Sequence, residues 1–352
     1  MPLLPTTMHA VQLTGHGGFD RLQYRSDVPL PVPGPDEVLI RVRAAGVNNT
    51  DINMRVGWYS KAAAGSAAAP QDGGWTGGAV TFPLIQGADV CGIIVSAGLQ
   101  VSPARLGQRV LVDPVLRARP TASGLKTLYL GSDCDGGFAD FVSVPANNAH
   151  PVATHLADAE LASFPCSYTA AENMLLRADV GRGDVLLVTG ASGGVGSAAV
   201  QLAARRGAVV IGIAGESKHA QVAALGAARV LPRDVDVVAA LGRDSVDAVI
   251  DVVGGRQFPA LLEVLRPGSR YAVAGAIAGA VVPLDLRTLY LKDLRLIGCT
   301  VAEPAVFENL VRYIERGEIR PVVAKIHRLA DIADAQREFL AKGHTGKIVL
   351  VP

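Results

Sequence analysis

A short apolar run, Val185 to Val188, leads into the turn Thr189-Gly190-Ala191-Ser192-Gly193-Gly194-Val195-Gly196 and then into an alanine-rich stretch ending at Arg206. Ala191, Gly193 and Gly196 stand at the three positions where a strand, a tight turn and a helix together seat a dinucleotide diphosphate. Each must be small for its own reason. The first permits the turn, Gly193 lets backbone N–H groups approach a pyrophosphate, and Gly196 lets the helix lie close to the strand with its N-terminus toward the anion. Alanine at the first position is a mild departure. The chemistry this spacing supports is the binding of a nicotinamide nucleotide, with Ser192, Gly193, Gly194, Val195 and Gly196 at its pyrophosphate.

Such a turn means little without the elements that hold it. Here a second apolar run, Ala208 to Ile213, follows at the distance a crossover helix requires, then a helical pattern through Gln221 to Leu225 and a third run near Ala228 to Leu231. Further runs at Asp247 to Val253, Ser269 to Ala274 and Leu294 to Gly298 continue the alternation. Six parallel strands make a complete doubly wound α/β sheet, which binds ligands beyond the carboxyl ends of its strands.

The totals bound the rest. A chain of 352 residues, 49% hydrophobic and 18% charged, has enough apolar content for a large core and length for two domains. Its 33 Lys and Arg against 32 Asp and Glu leave a net charge of +1, which offers no field for nucleic acid or an anionic membrane. The beginning MPLLPTTMHAV has neither the basic start nor the apolar segment of a secretory signal, so a cytoplasmic location is expected. Cys91, Cys134, Cys166 and Cys299 are widely separated with no C-x-x-C pair, which predicts reduced thiols rather than a zinc cage or disulfide framework.

Residues before about 159 have another texture, rich in proline and glycine, with short β-type runs at Glu37 to Ala44, Gly92 to Ser96 and Arg109 to Val112. A compact, mostly β substrate domain is expected there. Between Ser60 and Val80 the chain is of low complexity with Trp75 as its one anchor, and reads equally as a lid or a plain insertion. A helix is expected over Phe307 to Arg316, and the closing strand-like Gly346 to Val351 could complete the N-terminal domain. The domain expectation is therefore 1–158 for substrate, 159–302 for nucleotide, and 303–352 returning to the first domain.

The segments AGVNNTDINMRVG from Ala45, PLIQGADVCGIIVSAG from Pro83, DGGFADFVSVP from Asp135, FPCSYTAAENML from Phe164, the glycine-rich turn and the terminal TGKIVLVP together resemble the medium-chain dehydrogenase/reductase superfamily. Within it the resemblance is to the zinc-independent quinone oxidoreductase and enoyl reductase branch, nearly end to end. It implies a discontinuous, mostly β (GroES-like) catalytic domain built from both termini, a Rossmann domain between, and a cleft at their junction. It places Gly254, Gly275, Ala276, Cys299 and Thr300 along the coenzyme, with Lys347 as a weaker contact or a merely solvated residue.

In zinc-using relatives the metal is held at positions that here carry Asn48, Ala88 and Cys166. Asn48 and Ala88 cannot supply thiolate or imidazole, and Asp89 with Cys166 gives two protein ligands at most, so no metal is expected. Without a Lewis acid the easier chemistry is hydride delivery to a quinone or an electron-poor double bond. The resemblance gives Tyr59 as proton donor, and the Asn48 amide could orient a substrate carbonyl. Tyr59 as a packing residue in the wall of the site is the plain alternative.

Counting from Gly196, the carboxylate that selects NAD would fall on Gly215, with Glu216 one place later. Lys218 matches the lysine that binds the 2′-phosphate in NADPH-dependent relatives, and Ser217 adds a hydroxyl. NADPH is therefore favoured over NADH, although Glu216 aimed at the ribose would repel a phosphate. The partners expected are a small-molecule substrate and a second copy of the chain, paired through a sheet edge in the Tyr271 to Leu286 region, with no nucleic acid and no membrane. Two rival readings remain: a nucleotide-binding structural or RNA-associated protein, and a zinc alcohol dehydrogenase.

Overall fold

The structure, a computed structural model, describes residues 4–60, 80–121 and 124–352, with the side chains of 118–126 outside that description. The low-complexity loop, including Trp75, also lies outside the described residues apart from its ends. The chain divides into two compact units, Met1–Cys166 with Val323–Pro352, and Ser167–Val322.

The second unit is built on a six-stranded parallel sheet. Its strands lie in the order Arg229–Leu231, Val209–Ile213, Val185–Val188, Val246–Asp251, Leu265–Val273, Arg295–Gly298. Numbered along the chain this is 3-2-1-4-5-6, the doubly wound order whose direction reverses beside the first strand. Leu186, Leu187, Val188, Val249 and Ile250 have no exposed surface, as continuous apolar strands covered on both faces should. The helix Gly194–Arg205 buries its alanines against the sheet. Gly196 is required for that contact, since a β-carbon there would lie 2.1 Å from the carbonyl oxygen of Gly190.

The first unit holds a seven-stranded sheet. Its main path runs Ala149–Pro151, Arg109–Val112, Asp89–Ala97, Glu37–Gly46, Lys347–Val351, Val323–Arg328, and Phe141–Pro145 pairs with the Glu37–Gly46 strand as well. Three strands, Leu22–Pro29, Thr7–Leu13 and Leu84–Ile85, form a smaller sheet, and Val115–Thr121 with Gly124–Tyr129 form a hairpin. The core beneath is mostly aliphatic and includes Phe138 and Phe141. The expected closing strand is present, and Val349 and Leu350 pair antiparallel with Gly46 and Ala45.

Two expectations are corrected. The C-terminal return begins at Val323, not at 303, because the helix Pro304–Glu315 belongs to the nucleotide unit. Val306, Phe307, Leu310, Val311 and Ile314 are buried on it, and just beyond it the Arg320 carbonyl accepts from the Tyr168 hydroxyl at 2.8 Å. The strand containing Tyr271 is interior to its sheet, with Tyr271 only 3% exposed, so the sheet edge on that side is Arg295–Gly298, the opposite edge being Arg229–Leu231.

Candidate active site

In the first unit the strand Asp89–Ala97, the end of the strand Glu37–Gly46 and the start of the strand Lys347–Val351 bring three polar side chains together in the interior. Lys347 Nζ donates to Asp89 Oδ2 at 2.5 Å and to Asn48 Oδ1 at 2.6 Å. Asn48 Nδ2 donates to the same Asp89 oxygen at 2.8 Å and to the Gly46 carbonyl at 3.4 Å. The other Asp89 oxygen accepts from the Cys166 backbone N–H at 2.5 Å. Lys347 and Asp89 are buried, and a buried ion pair persists only when its remaining hydrogen-bonding capacity is used in this way.

This arrangement revises two sequence assignments. Lys347 is not solvated: it is buried, with its ammonium hydrogen-bonded to Asp89 and Asn48 within the first unit. Asn48, expected to orient a substrate carbonyl, has its amide nitrogen engaged within the protein by Asp89 and the Gly46 carbonyl and so organises the cluster.

Asn48 also precedes the short helix Asn49–Arg55, and its backbone N–H donates to Asp51 Oδ2 at 2.7 Å. Burial pushes the Asp51 carboxyl up to about 7, against the opposing effects of that N–H and of Lys347, and Asp89 adds to the rise. The folded carboxyl thus keeps its proton to near neutrality, whereas an unfolded one releases it near about pH 4. Between those values the folded state binds the extra proton, so raising the pH through the window lowers stability. Asp51→Asn keeps an acceptor for Asn48 and removes the titration. Thermal melts between about pH 5 and pH 8 should show a decline in the wild type that the variant lacks; parallel curves would contradict the assignment.

Tyr59 follows the same helix. Its hydroxyl oxygen accepts from Asn53 Nδ2 at 3.2 Å, and Asn53 Oδ1 accepts from Asn49 Nδ2 at 3.1 Å. Burial pushes the phenol up to about 12, with the Asn53 hydrogen bond pulling the other way. The group is therefore protonated at neutral pH, and its oxygen is held by a donor so that its own proton can point elsewhere. Tyr129, on the hairpin, donates from its hydroxyl to Cys166 Sγ at 3.0 Å. Burial lifts Tyr129 well above its ordinary value, and Cys166 to about 12. Sequence reasoning missed Tyr129 because nothing in its hairpin marks the partner 37 residues away.

In the second unit every other expected coenzyme residue follows the carboxyl end of a parallel strand. The turn Gly190 to Gly196 follows the first, Ser217 and Lys218 the second, Gly254 the fourth, Gly275 and Ala276 the fifth, and Cys299 and Thr300 the sixth. Gly193 caps the helix without a side chain, which leaves the first-turn N–H groups uncapped for an anion. The cradle thus fits a dinucleotide diphosphate.

Asp251, fully buried at the end of the fourth strand, ties the turns after the first and fourth strands to the fifth strand. One oxygen accepts from the Thr189 hydroxyl at 2.5 Å and from the Val253 and Gly254 N–H groups at 2.8 and 3.0 Å, and the other accepts from the Tyr271 hydroxyl. Arg233, unremarked in the sequence, also stands here. A β-carbon on Gly215 would lie 3.7 Å from its Nη2.

Comparison with known proteins agrees with this division. A family model described as alcohol dehydrogenase GroES-like domain matches residues 34–154, and one described as zinc-binding dehydrogenase matches 194–316. A solved structure from Sinorhizobium meliloti 1021, provisionally assigned as an alcohol dehydrogenase, is 47% identical with a TM-score of 0.90, covering 99% of this chain and 98% of its own. The chain belongs to the medium-chain dehydrogenase/reductase superfamily. Within this superfamily it is 29% identical to the quinone oxidoreductase of Mus musculus, over 98% of both chains. It is also 25% identical, with a TM-score of 0.85, to the 2-octenoyl-CoA carboxylase reductase CinF solved with NADP and 2-octenoyl-CoA, covering 99% of this chain and 88% of the other. Zinc, which one of the matched models names, does not fit the residues present. Asn48 Oδ1 and Asp89 Oδ2 already receive the Lys347 ammonium, Cys166 Sγ receives the Tyr129 hydroxyl, and Ala88 offers no donor atom.

Proposed function

We propose that this oxidoreductase is an NADPH-dependent reductase of quinones or of electron-poor carbon–carbon double bonds, enones or enoyl thioesters, working without a metal. The observation that carries the reading is Lys347: a tethered ammonium, hydrogen-bonded to both Asp89 and Asn48, sits among the donors a catalytic metal would need. With no Lewis acid to polarise an alcohol or ketone, a conjugated acceptor is the substrate whose reduction asks least of the protein. When bound, the reduced nicotinamide supplies a hydride. The second unit holds the diphosphate at the Gly193–Gly196 turn and fixes the neighbouring turns through Asp251. The first unit supplies the proton. Hydride addition to the β-carbon of an enone or enoyl thioester leaves an enolate, and the Tyr59 hydroxyl protonates its α-carbon, the phenolate then recovering a proton from water. The names of the mouse relative and of CinF support the two substrate classes.

The rival reading, a zinc alcohol dehydrogenase, has the Sinorhizobium assignment in its favour and the donor set against it. Purified protein offered NADPH or NADH with a quinone, a short enone or crotonyl-CoA and, in the reverse direction, NADP⁺ or NAD⁺ with a primary alcohol separates the two. Oxidation of NADPH by a conjugated acceptor is expected; turnover confined to the alcohol would sink the proposal. The protein is also proposed to pair through the edge strand Arg295–Gly298, where Leu286, Tyr290, Leu291 and Leu296 are exposed. Gel filtration of the same sample should give twice the 36.5 kDa chain mass, and a single-chain mass would refute the pairing.

A further inference from the structure

We infer that Asn49 and Asn53 form a directional hydrogen-bond chain that keeps the Tyr59 proton for the substrate, and that Asn49 sets the direction. The inference rests on the proposed role of Tyr59 and makes the two asparagines positioning residues for it. All three side chains belong to the first unit. Asn49 and Asn53 stand four residues apart on the helix Asn49–Arg55, hence on one face of it, and the chain then turns back to bring Tyr59 beside Asn53. The backbone holds that turn: the Trp58 N–H donates to the Asn53 carbonyl at 2.8 Å, and the Gly57 N–H to the Met54 carbonyl at 3.2 Å. Gly57 has φ +72°, a left-handed conformation that suits glycine, and the His16 ring lies against it, 3.3 Å from the place a β-carbon would occupy. The phenol oxygen is thus returned to one particular amide.

An amide has two unlike ends, and bonding one end decides what the other presents. Asn49 Nδ2 donates to Asn53 Oδ1 at 3.1 Å, which turns the Asn53 amine toward Tyr59, and Asn53 Nδ2 donates to the phenol oxygen at 3.2 Å. A phenol oxygen that accepts in this way keeps its own O–H for another acceptor. With the chain reversed, Tyr59 would donate to Asn53 Oδ1 and Asn53 Nδ2 to Asn49 Oδ1. Each group would be equally well bonded, but the proton would be held inside the protein. Direction, not the number of hydrogen bonds, therefore decides whether Tyr59 can act as an acid. In the assigned direction the phenol O–H bond breaks as the C–H bond forms at the α-carbon of the enolate, and the Asn53 N–H is already aimed at the phenolate left behind, which water reprotonates. Hydride transfer comes before that step and does not involve the chain.

Asn49→Asp tests the direction, because a carboxylate only accepts: Asn53 must then turn its amine to the new carboxylate and its carbonyl oxygen to Tyr59, whose proton it captures. Asn49→Ala leaves Asn53 free to turn either way, and Asn53→Leu removes the donor with little change of volume. Steady-state kinetics of the full chain with NADPH are compared for an enone and a quinone, in the wild-type and the Tyr59→Phe background. N49D and N53L should lower kcat for the enone by roughly tenfold or more, and N49A by less, with KM little changed and a much smaller loss for the quinone. In the Y59F background neither N49D nor N53L should have a further effect, since the group they act through is gone. Full enone turnover by Y59F would overturn the role of Tyr59 and this inference with it. An impaired Y59F beside unimpaired N49D and N53L would leave Tyr59 standing and overturn the chain. N49A as impaired as N49D would leave no role to direction, and an equal loss from N53L with and without the Tyr59 hydroxyl would mark Asn53 as structural; either result overturns the inference.

Discussion

Tyr59→Phe should lower kcat for an enone or enoyl thioester by about 10²-fold or more while leaving coenzyme affinity unchanged. The substitution removes one hydroxyl and keeps the ring, so packing beside the helix Asn49–Arg55 is preserved. On the proposed mechanism, what disappears is the proton given to the enolate. The environment of the phenol suits it to that duty: with its acidity pushed to about 12 it is never lost as phenolate at neutral pH, and Asn53 stabilises the charge that appears on its oxygen as the proton leaves. A quinone acceptor provides the internal control. Its reduced oxygens are more acidic than an enolate carbon and take their protons readily from water, so the same variant should lose much less with a quinone than with an enone. Full turnover of the enone by Y59F, measured at saturating NADPH, would remove Tyr59 from the mechanism.

The second large effect falls on stability. Lys347→Met leaves the Asp89 carboxylate buried without its counter-ion, a change that typically costs about 3 to 5 kcal/mol, or a fall in melting temperature of roughly 6 to 20 °C for a unit of this size. Asp89→Asn strands the Lys347 ammonium in the same way. The double variant D89N/K347M removes both charges, and an amide at 89 can still accept from the Cys166 N–H and meet Asn48. Its melting temperature should therefore lie well above the sum of the two single losses. Additive losses would show that the two side chains are not a coupled pair. The same variants bear on function, because the cluster fixes the N-terminal end of the helix that leads to Tyr59.

Much of the nucleotide unit was legible in the sequence because its signals are local. Apolar runs, the small residues at 191, 193 and 196, and the spacing between runs identify the strands and the phosphate turn, and the expected contacts all follow strand ends. Strand limits were less exact. The strand Leu265–Val273 starts four residues earlier than expected, because Arg266-Pro267-Gly268 reads as a turn when its parallel neighbour at Val246–Asp251 is not in view. The polar cluster of the first unit was hidden for a different reason. Lys347 lies 258 residues from Asp89 and 299 from Asn48, and a single lysine before an apolar strand looks like a solvated one until the fold buries it. The helix Pro304–Glu315 was recognised, but no pattern along it tells which unit its apolar face covers.

The central claim, reduction of a conjugated acceptor by a site whose cation is a lysine, is tested most directly on one preparation. The protein is dialysed against a strong chelator, its metal content is measured, and NADPH oxidation by an enone is followed. Undiminished turnover at a metal content far below one ion per chain is the predicted result. Activity that falls with the metal and returns with added zinc would contradict it.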